Sequence, residues 1–349
     1  MKPSQISKAL QMLVQIHQPV MVWSVYGQGK SAVAKQVAES FNTPDKSEYG
    51  FIDLRATLLD PVDLMGVPTV VNGKTHWAAP GILPVEGYGL IIIDELPTAA
   101  PMVQAALLQL MLDRKIGEYE LPKGWSIIAA GNRTGDRSGA GRLNMALANR
   151  MVHVDMDVDL DDWVAWALDN VDFELEKVNA REHNGRLPIK TEVISFCRFR
   201  PNLLSDPDPS RTEYAQATPR TWEFVSNIMH NGIDPDIEYD VYKGTIGEGP
   251  AAELLAFLKI YRNLPNRDQI LMDPEGAHVP TDPATLYAIC GSLSVASSEQ
   301  TIGNIVKYSN RLPSEFSVLL MNDSVKKCPE VVNTRAFISW ASDNADVII

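Results

Sequence analysis

Only three cysteines occur in the 349 residues, Cys197, Cys290 and Cys328. Their wide spacing suits neither a disulfide framework nor a zinc cluster. They are expected to be small buried hydrophobes in a reducing compartment. The six histidines (His17, His76, His153, His183, His230 and His278) show no ligand spacing, and no transition-metal site is expected. Long apolar runs are missing too. LIIID at 90–94 is among the longest, far short of the roughly 18 residues that span a bilayer. The opening MKPSQISKAL has no sustained apolar core followed by a small-residue cleavage site, so no signal peptide is expected and the chain reads as cytoplasmic. Positive charge is scarce, with 31 Lys and Arg against 44 Asp and Glu for a net charge of −13. Such a surface repels phosphate backbones and anionic lipid, which argues against nucleic-acid and membrane partners. At 45% hydrophobic and 21% charged, the composition is that of an ordinary globular protein with chain enough for two or three domains.

Short apolar runs alternate with helical patterns up to about residue 157. VMVWS (20–24), YGFIDLRA (49–56), LIIIDE (90–95), WSIIAAGN (125–132) and MVHVDM (151–156) read as five strands. KSAVAKQVAESF (30–41) and PMVQAALLQLMLD (101–113) read as helices. Strands with little polar alternation, separated by helices, imply a parallel sheet covered on both faces. Between 66 and 84, Asn72-Gly73 flanked by VV and THW suits a type I′ turn and predicts an inserted β-hairpin, the alternative being an irregular loop. Beyond 157, helical patterns dominate, as in DDWVAWALDN (161–170), PRTWEFVSNIM (219–229) and AAELLAFLKIYRNL (251–264). Asp161, Asp162 and Trp163 are expected to open a helix with favourable charge rather than to form a site. The division expected is therefore an α/β core over 1–157 and a mostly helical part over 158–349.

SVYGQGKS (24–31) joins the first strand to the first helix. It matches the phosphate-loop pattern G-x-x-x-x-G-K-[ST] except at its first position, where Ser24 replaces glycine. Gly29-Lys30-Ser31 alone turns up in roughly one chain in five of this length, so context has to decide. Here a buried strand feeds the glycines and a helix begins at the lysine, as the chemistry requires. Backbone N–H groups across Ser24, Val25, Tyr26, Gly27, Gln28 and Gly29, together with the helix dipole, would surround a polyphosphate. Lys30 would neutralise its charge and Ser31 would offer a hydroxyl to Mg²⁺. Ser24 is small and is expected to alter the turn only slightly. Sixty-three residues after Ser31, the strand LIIIDEL ends in Asp94 and Glu95. Carboxylates beside a core strand cost several kcal/mol unless used, and the C-terminal edge of a parallel sheet is where ligands bind. Asp94 would hold Mg²⁺ through water, and Glu95 would polarise the attacking water as a general base.

With both motifs in this order, the chain resembles the AAA+ ATPases and, among them, the MoxR-type branch. The resemblance runs through FIDLRATLLDPVDLMGVP (51–68), the inserted hairpin, IIIDELPTAAPMVQAALLQLMLDRKIGEYELPKGWSIIAAGNRTGDRSG (91–139), ALANRM (146–151) and ATPRTWEFVS (217–226). It is specific to about residue 230 and looser beyond. It implies an α/β P-loop core with a five-stranded parallel sheet, a helical lid and a C-terminal helical extension. It also implies Mg²⁺-dependent ATP hydrolysis in a homo-oligomeric ring, a hexamer, with chaperone-like remodelling of a client or cofactor insertion and a von Willebrand factor A domain protein as partner. By position, Asn132 matches the first sensor, Arg150 the arginine finger acting on a neighbour's nucleotide (with Arg137 and Arg142 close by in sequence) and Arg220 the second sensor on the lid. The hairpin matches the insert of this branch. His76 and Trp77 on it have two open roles, contact with a substrate polypeptide or, for Trp77, packing on the core.

Three rival activities remain on the sequence. A DNA helicase or loader of the same superfamily lacks a clustered basic stripe here. A nucleotide-gated scaffold with little hydrolysis has only Ser24 in its favour. A small-molecule P-loop kinase leaves Arg220 and the long helical part without a use.

Overall fold

The computed structural model describes residues 1–42, 49–136, 141–168 and 187–345. The chain divides into two compact units, Met1–Asp159 and Leu160–Ile349. No helix among the described residues is long and apolar enough to cross a membrane.

The first unit opens with α1 (Pro3–Gln15), β1 (Val20–Trp23), α2 (Lys30–Ser40), β2 (Gly50–Arg55) and the short α3 (Pro61–Met65). The hairpin β3 (Val67–Val71) and β4 (Lys74–Ala78) follows, then β5 (Tyr88–Asp94) and α4 (Pro101–Asp113). A two-residue pair, β6 (Lys115–Ile116) and β7 (Tyr119–Glu120), precedes β8 (Gly124–Gly131), α5 (Met145–Ala148) and β9 (Val152–Asp155). The five expected strands form one sheet in the order β2-β5-β8-β1-β9, and every pair in it is parallel.

Alternate residues explain why these strands carry so little polar patterning. Ile91, Ile93, Ile127 and Ala129 pack with Val103, Leu107 and Leu110 of α4. Leu90, Ile92, Ile128 and Ala130 pack with Ile6 and Leu10 of α1 and with Val33 and Val37 of α2. Both faces are dry, so both parities must be apolar. Each such side chain stabilises the fold by roughly 1.5–3 kcal/mol relative to exposure. The sequence reading passed over α1, although Ile6, Leu10, Leu13 and Val14 stand at helical spacing and are all buried.

Asn72 and Gly73 take φ of 51° and 74°, the doubly left-handed geometry of a type I′ turn, and β3 pairs with β4 in register from Val71 opposite Lys74 to Val67 opposite Ala78. The expected hairpin therefore exists, with its paired strands confined to 67–78. His76 Nδ1 lies 3.5 Å from Glu118 Oε2 on the β6–β7 turn.

The second unit is helical throughout its described elements: α6 (Leu160–Leu168), α7 (Thr191–Phe199), α8 (Pro219–Asn231), α9 (Glu238–Ile246), α10 (Glu248–Arg262), α11 (Arg267–Met272), α12 (Pro283–Val295), α13 (Ile302–Ser309), α14 (Ser314–Lys327) and α15 (Arg335–Asp343). Asp161 and Asp162 lie in the first turn of α6, where carboxylates favour the helix dipole, and Trp163 is buried. A core of Leu286, Leu293, Ile305, Leu320 and Trp340 joins α12 to α15. Cys197 and Cys290 are fully buried, and burial pushes both thiols up, which makes them inert packing groups. Cys328 departs from the expectation of burial: it is only partly buried, with Sγ 3.4 Å from Glu330 Oε2.

Candidate functional site

Three adjacent strands deliver the site. β1, β8 and β5 end side by side, with Trp23 level with Gly131 and Ile93 level with Ala129. Ser24, Asn132 and Asp94 thus emerge at one C-terminal edge of the sheet. The Ser24 N–H donates to Gly131 O at 3.3 Å, carrying the strand pairing one residue further before the chain turns. Gly27 and Gly29 sit at φ of 74° and 89°, the left-handed region that favours glycine, and Gly29 caps α2. With the turn made this way, Lys30 and Ser31 begin the helix, where the positive end of the dipole lies.

Lys30 is turned into its own loop. Its ammonium donates to Ser24 O (3.1 Å), Ser24 Oγ (3.2 Å), Val25 O (3.3 Å) and, most closely, Asn132 Oδ1 (2.6 Å). Ser24, which departs from the glycine of the pattern, therefore acts as an extra acceptor, and its own hydroxyl donates to Val25 O at 3.0 Å. Ser31 Oγ donates to Asp94 Oδ2 at 2.6 Å, while Asp94 Oδ1 accepts the Glu95 N–H at 2.8 Å. Hydroxyl and carboxylate oxygens converging in this way are the hard donors that suit Mg²⁺, which commonly keeps several of its waters. Glu95 itself has φ 57° and ψ 29°, a strained conformation for a non-glycine residue and one that clusters at functional sites. Its Oε2 accepts from Thr57 Oγ1 at 2.9 Å.

Sequence reasoning missed several neighbours of this edge. Thr57 follows β2, and only the pairing of β2 with β5 brings it to Glu95. Asp53 on β2 has its carboxyl raised above the usual range, chiefly by burial and next by the charge of Asp94, with Arg55 opposing. A polar residue in the middle of FIDLR was the available signal. Arg133, next to Asn132, lies 5.1 Å from the Trp23 ring centroid and pairs with Asp155. Trp23 Nε1 donates to His153 Nδ1 at 2.9 Å.

Of the arginines singled out from sequence, Arg150 does not join this cluster. Arg150 follows α5 and precedes β9, whose first residue Val152 is level with Val20 at the start of β1. It stands at the N-terminal edge of the sheet, its Nη1 donating to Ala146 O at 2.5 Å. The loop begins four strand residues further along, a separation of roughly 13 Å. Arg142 is exposed. Arg220 is the second residue of α8 in the second unit and is exposed. None of these three has an ion-pair partner among the described residues. Arg137 and His183 lie outside the described residues, and among the described ones no group of three His, Cys, Asp or Glu side chains is arranged to hold a metal.

No protein-family model matches the chain, and no curated protein matches it by sequence. Solved structures do show similarity. NtrX from Brucella abortus in complex with ADP aligns over 99% of this chain and 68% of its own, at 14% identity and a TM-score of 0.42. A RuvB mutant from Thermotoga maritima aligns over 83% of this chain and 79% of its own, at 15% identity and a TM-score of 0.38.

Proposed function

We propose that this chain is a Mg²⁺-dependent ATP hydrolase that works in a ring of identical copies, a hexamer in the MoxR-type arrangement. The supporting observation is the convergence of Lys30, Ser31, Asp94 and Asn132 at one sheet edge, with Glu95 next to them. In this reading the loop amides from Ser24 to Gly29 bind the polyphosphate. Lys30 exchanges its carbonyl and amide partners for phosphate oxygens, and Asn132, released from Lys30, orients the attacking water. Glu95 takes a proton from that water, and Thr57 sets where its carboxylate waits. Mg²⁺, when held by Ser31 and Asp94, supplies charge neutralisation at the phosphates. Arg150, too far along the sheet to serve its own loop, acts on a neighbouring copy. Arg220 acts in cis from residues 158–349, which serve as lid and extension. The output is chaperone-like remodelling or activation of a client in the cytoplasm, with a von Willebrand factor A domain protein as partner.

The test is Glu95→Gln. ATP binding should persist, read by a fluorescent nucleotide, while phosphate release falls by about 10²–10⁴-fold, the usual worth of a general base. Unchanged turnover removes the assignment of Glu95. Failure of the unaltered chain to bind ATP removes the whole reading.

A further inference from the structure

The left-handed backbone of Glu95 (φ 57°, ψ 29°) is disfavoured for any residue but glycine and persists only where its surroundings enforce it. The enforcing contacts lie in the turn that follows. Thr98 N–H donates to Glu95 O (2.9 Å) and Ala99 N–H to Leu96 O (3.2 Å), closing the turn on itself. The Pro97 ring lies so near Gly131, the residue before Asn132, that a Cβ there would collide with it. Pro97 O accepts the Gly141 N–H at 3.0 Å. At the end of the turn, Gln104 Nε2 donates to Ala99 O at 3.1 Å.

Gln104 stands out on its helix. The buried residues of α4 are Val103, Gln104, Leu107, Leu110 and Met111, and all but Gln104 are apolar. Its side chain is 4% exposed, and an amide at that depth is costly unless both its ends are bonded. Both are: as Nε2 donates to Ala99 O, Oε1 accepts the Asn144 N–H at 2.9 Å. A backbone N–H only donates and a carbonyl only accepts, so the amide has a single orientation here. Asn144 in turn caps α5, its Oδ1 accepting the Ala146 N–H at 2.8 Å. One primary amide thus joins the turn after Glu95 to the start of α5. An apolar side chain could make neither bond, and a carboxylate only one.

We propose that Gln104 is a positioning residue for hydrolysis: by tying Ala99 O to the start of α5 it holds the 96–99 turn, and through it the backbone of Glu95, in the conformation that aims the carboxylate at the attacking water. The proposal rests on the ATPase reading and adds to it a buried residue that touches neither nucleotide nor water. Because Gln104 acts through Glu95, its loss matters only while Glu95 is there to be misplaced.

The experiment is a double-mutant cycle in the full chain with Gln104→Met, which keeps the length but makes neither bond, and Glu95→Gln. Alone, Gln104→Met should lower kcat by about 10²-fold, the effect of a catalytic group displaced by about 1 Å, with KM for ATP unchanged. Added to Glu95→Gln, it should change the residual rate by no more than about twofold, since residues that act as a unit do not add. Hydrogen exchange in the nucleotide-free chain gives a readout apart from activity. The Thr98 and Ala99 amides should exchange faster in Gln104→Met, while the amides of α4 between 105 and 112 keep their protection. Should Gln104→Met fail to fold, Gln104→Glu repeats the cycle, because its carboxylate keeps an acceptor for the Asn144 N–H and loses only the donor to Ala99 O. A further loss of about 10²-fold on the Glu95→Gln background overturns the proposal and makes Gln104 a packing group. A rise in KM at unchanged kcat, unchanged turnover in Gln104→Met, or unaltered exchange at Thr98 and Ala99 also overturns it, and each of these leaves the ATPase reading standing. Unchanged turnover in Glu95→Gln overturns the proposal together with the assignment of Glu95, and an unaltered chain without turnover overturns the ATPase reading as well.

Discussion

In the second unit, the Arg198 fork grips both oxygens of Asp323, whose side chain is 4% exposed, and so ties α7 to α14. Arg262 grips Glu238 in the same bidentate way between α10 and α9. Each of these carboxylates is matched to a formal charge. At the C-terminal edge of the first unit's sheet the partners are of another kind. Asp94 is held there by a hydroxyl and an N–H, and Glu95 by a hydroxyl. Charge held by neutral dipoles is free to be re-partnered, whereas charge locked in a buried pair is not. Carboxylates are locked to guanidinium groups in the one region, and Asp94 and Glu95 are bonded to neutral groups in the other.

Experiments can break this comparison or sharpen it. The largest effect expected is that of Glu95→Gln on turnover, and the comparison adds a second readout: the urea midpoint should move little, because among the described residues the carboxylate's side-chain partner is an exposed Thr57. A large drop in the midpoint would make Glu95 architectural and erase the contrast. Next in size, Asp323→Ala should destabilise the second unit by about 3–5 kcal/mol, the cost of leaving a buried guanidinium unpaired, as measured by denaturant unfolding. Asp323→Asn, which keeps an acceptor, should cost less. A loss below about 1 kcal/mol from Asp323→Ala would place the pair with ordinary surface bridges. Smaller again is Gly73→Ala in the hairpin turn, which should cost about 1–2 kcal/mol through the left-handed backbone and speed hydrogen exchange in 67–78 without changing turnover.

The smallest effect concerns pH. The His17 pKa is lowered in the folded chain, so below about 6.5 the unfolded chain binds the proton more readily. Its contribution to stability is complete above that value and is lost as pH falls through the folded pKa. Replacing His17 by Gln should flatten this part of the profile, as read from thermal midpoints between pH 7 and 5. An unchanged slope would show that neither burial nor the charge of Arg114 lowers the His17 pKa.

Much of the core was legible because the sheet is buried on both faces: apolar runs with turn residues at their ends admit few other readings. Helix α4 spans Pro101–Asp113, the bounds its pattern suggested, and Asn72-Gly73 makes the turn its chemistry demands. Positions at the sheet edge were legible too, since a residue that ends a parallel strand lies beside those that end its neighbours. What escaped were contacts between segments with no local signature. Thr57 meets Glu95 across 38 residues and Arg198 meets Asp323 across 125.

Ser24 gives the loop a further character. A cation already surrounded by oxygen atoms is a latched one, and whatever anion arrives must first undo the latch. The net attraction is then a difference between two sets of partners, so a glycine at 24, by withdrawing one competing oxygen, should tighten nucleotide binding while leaving the rest of the loop as it is.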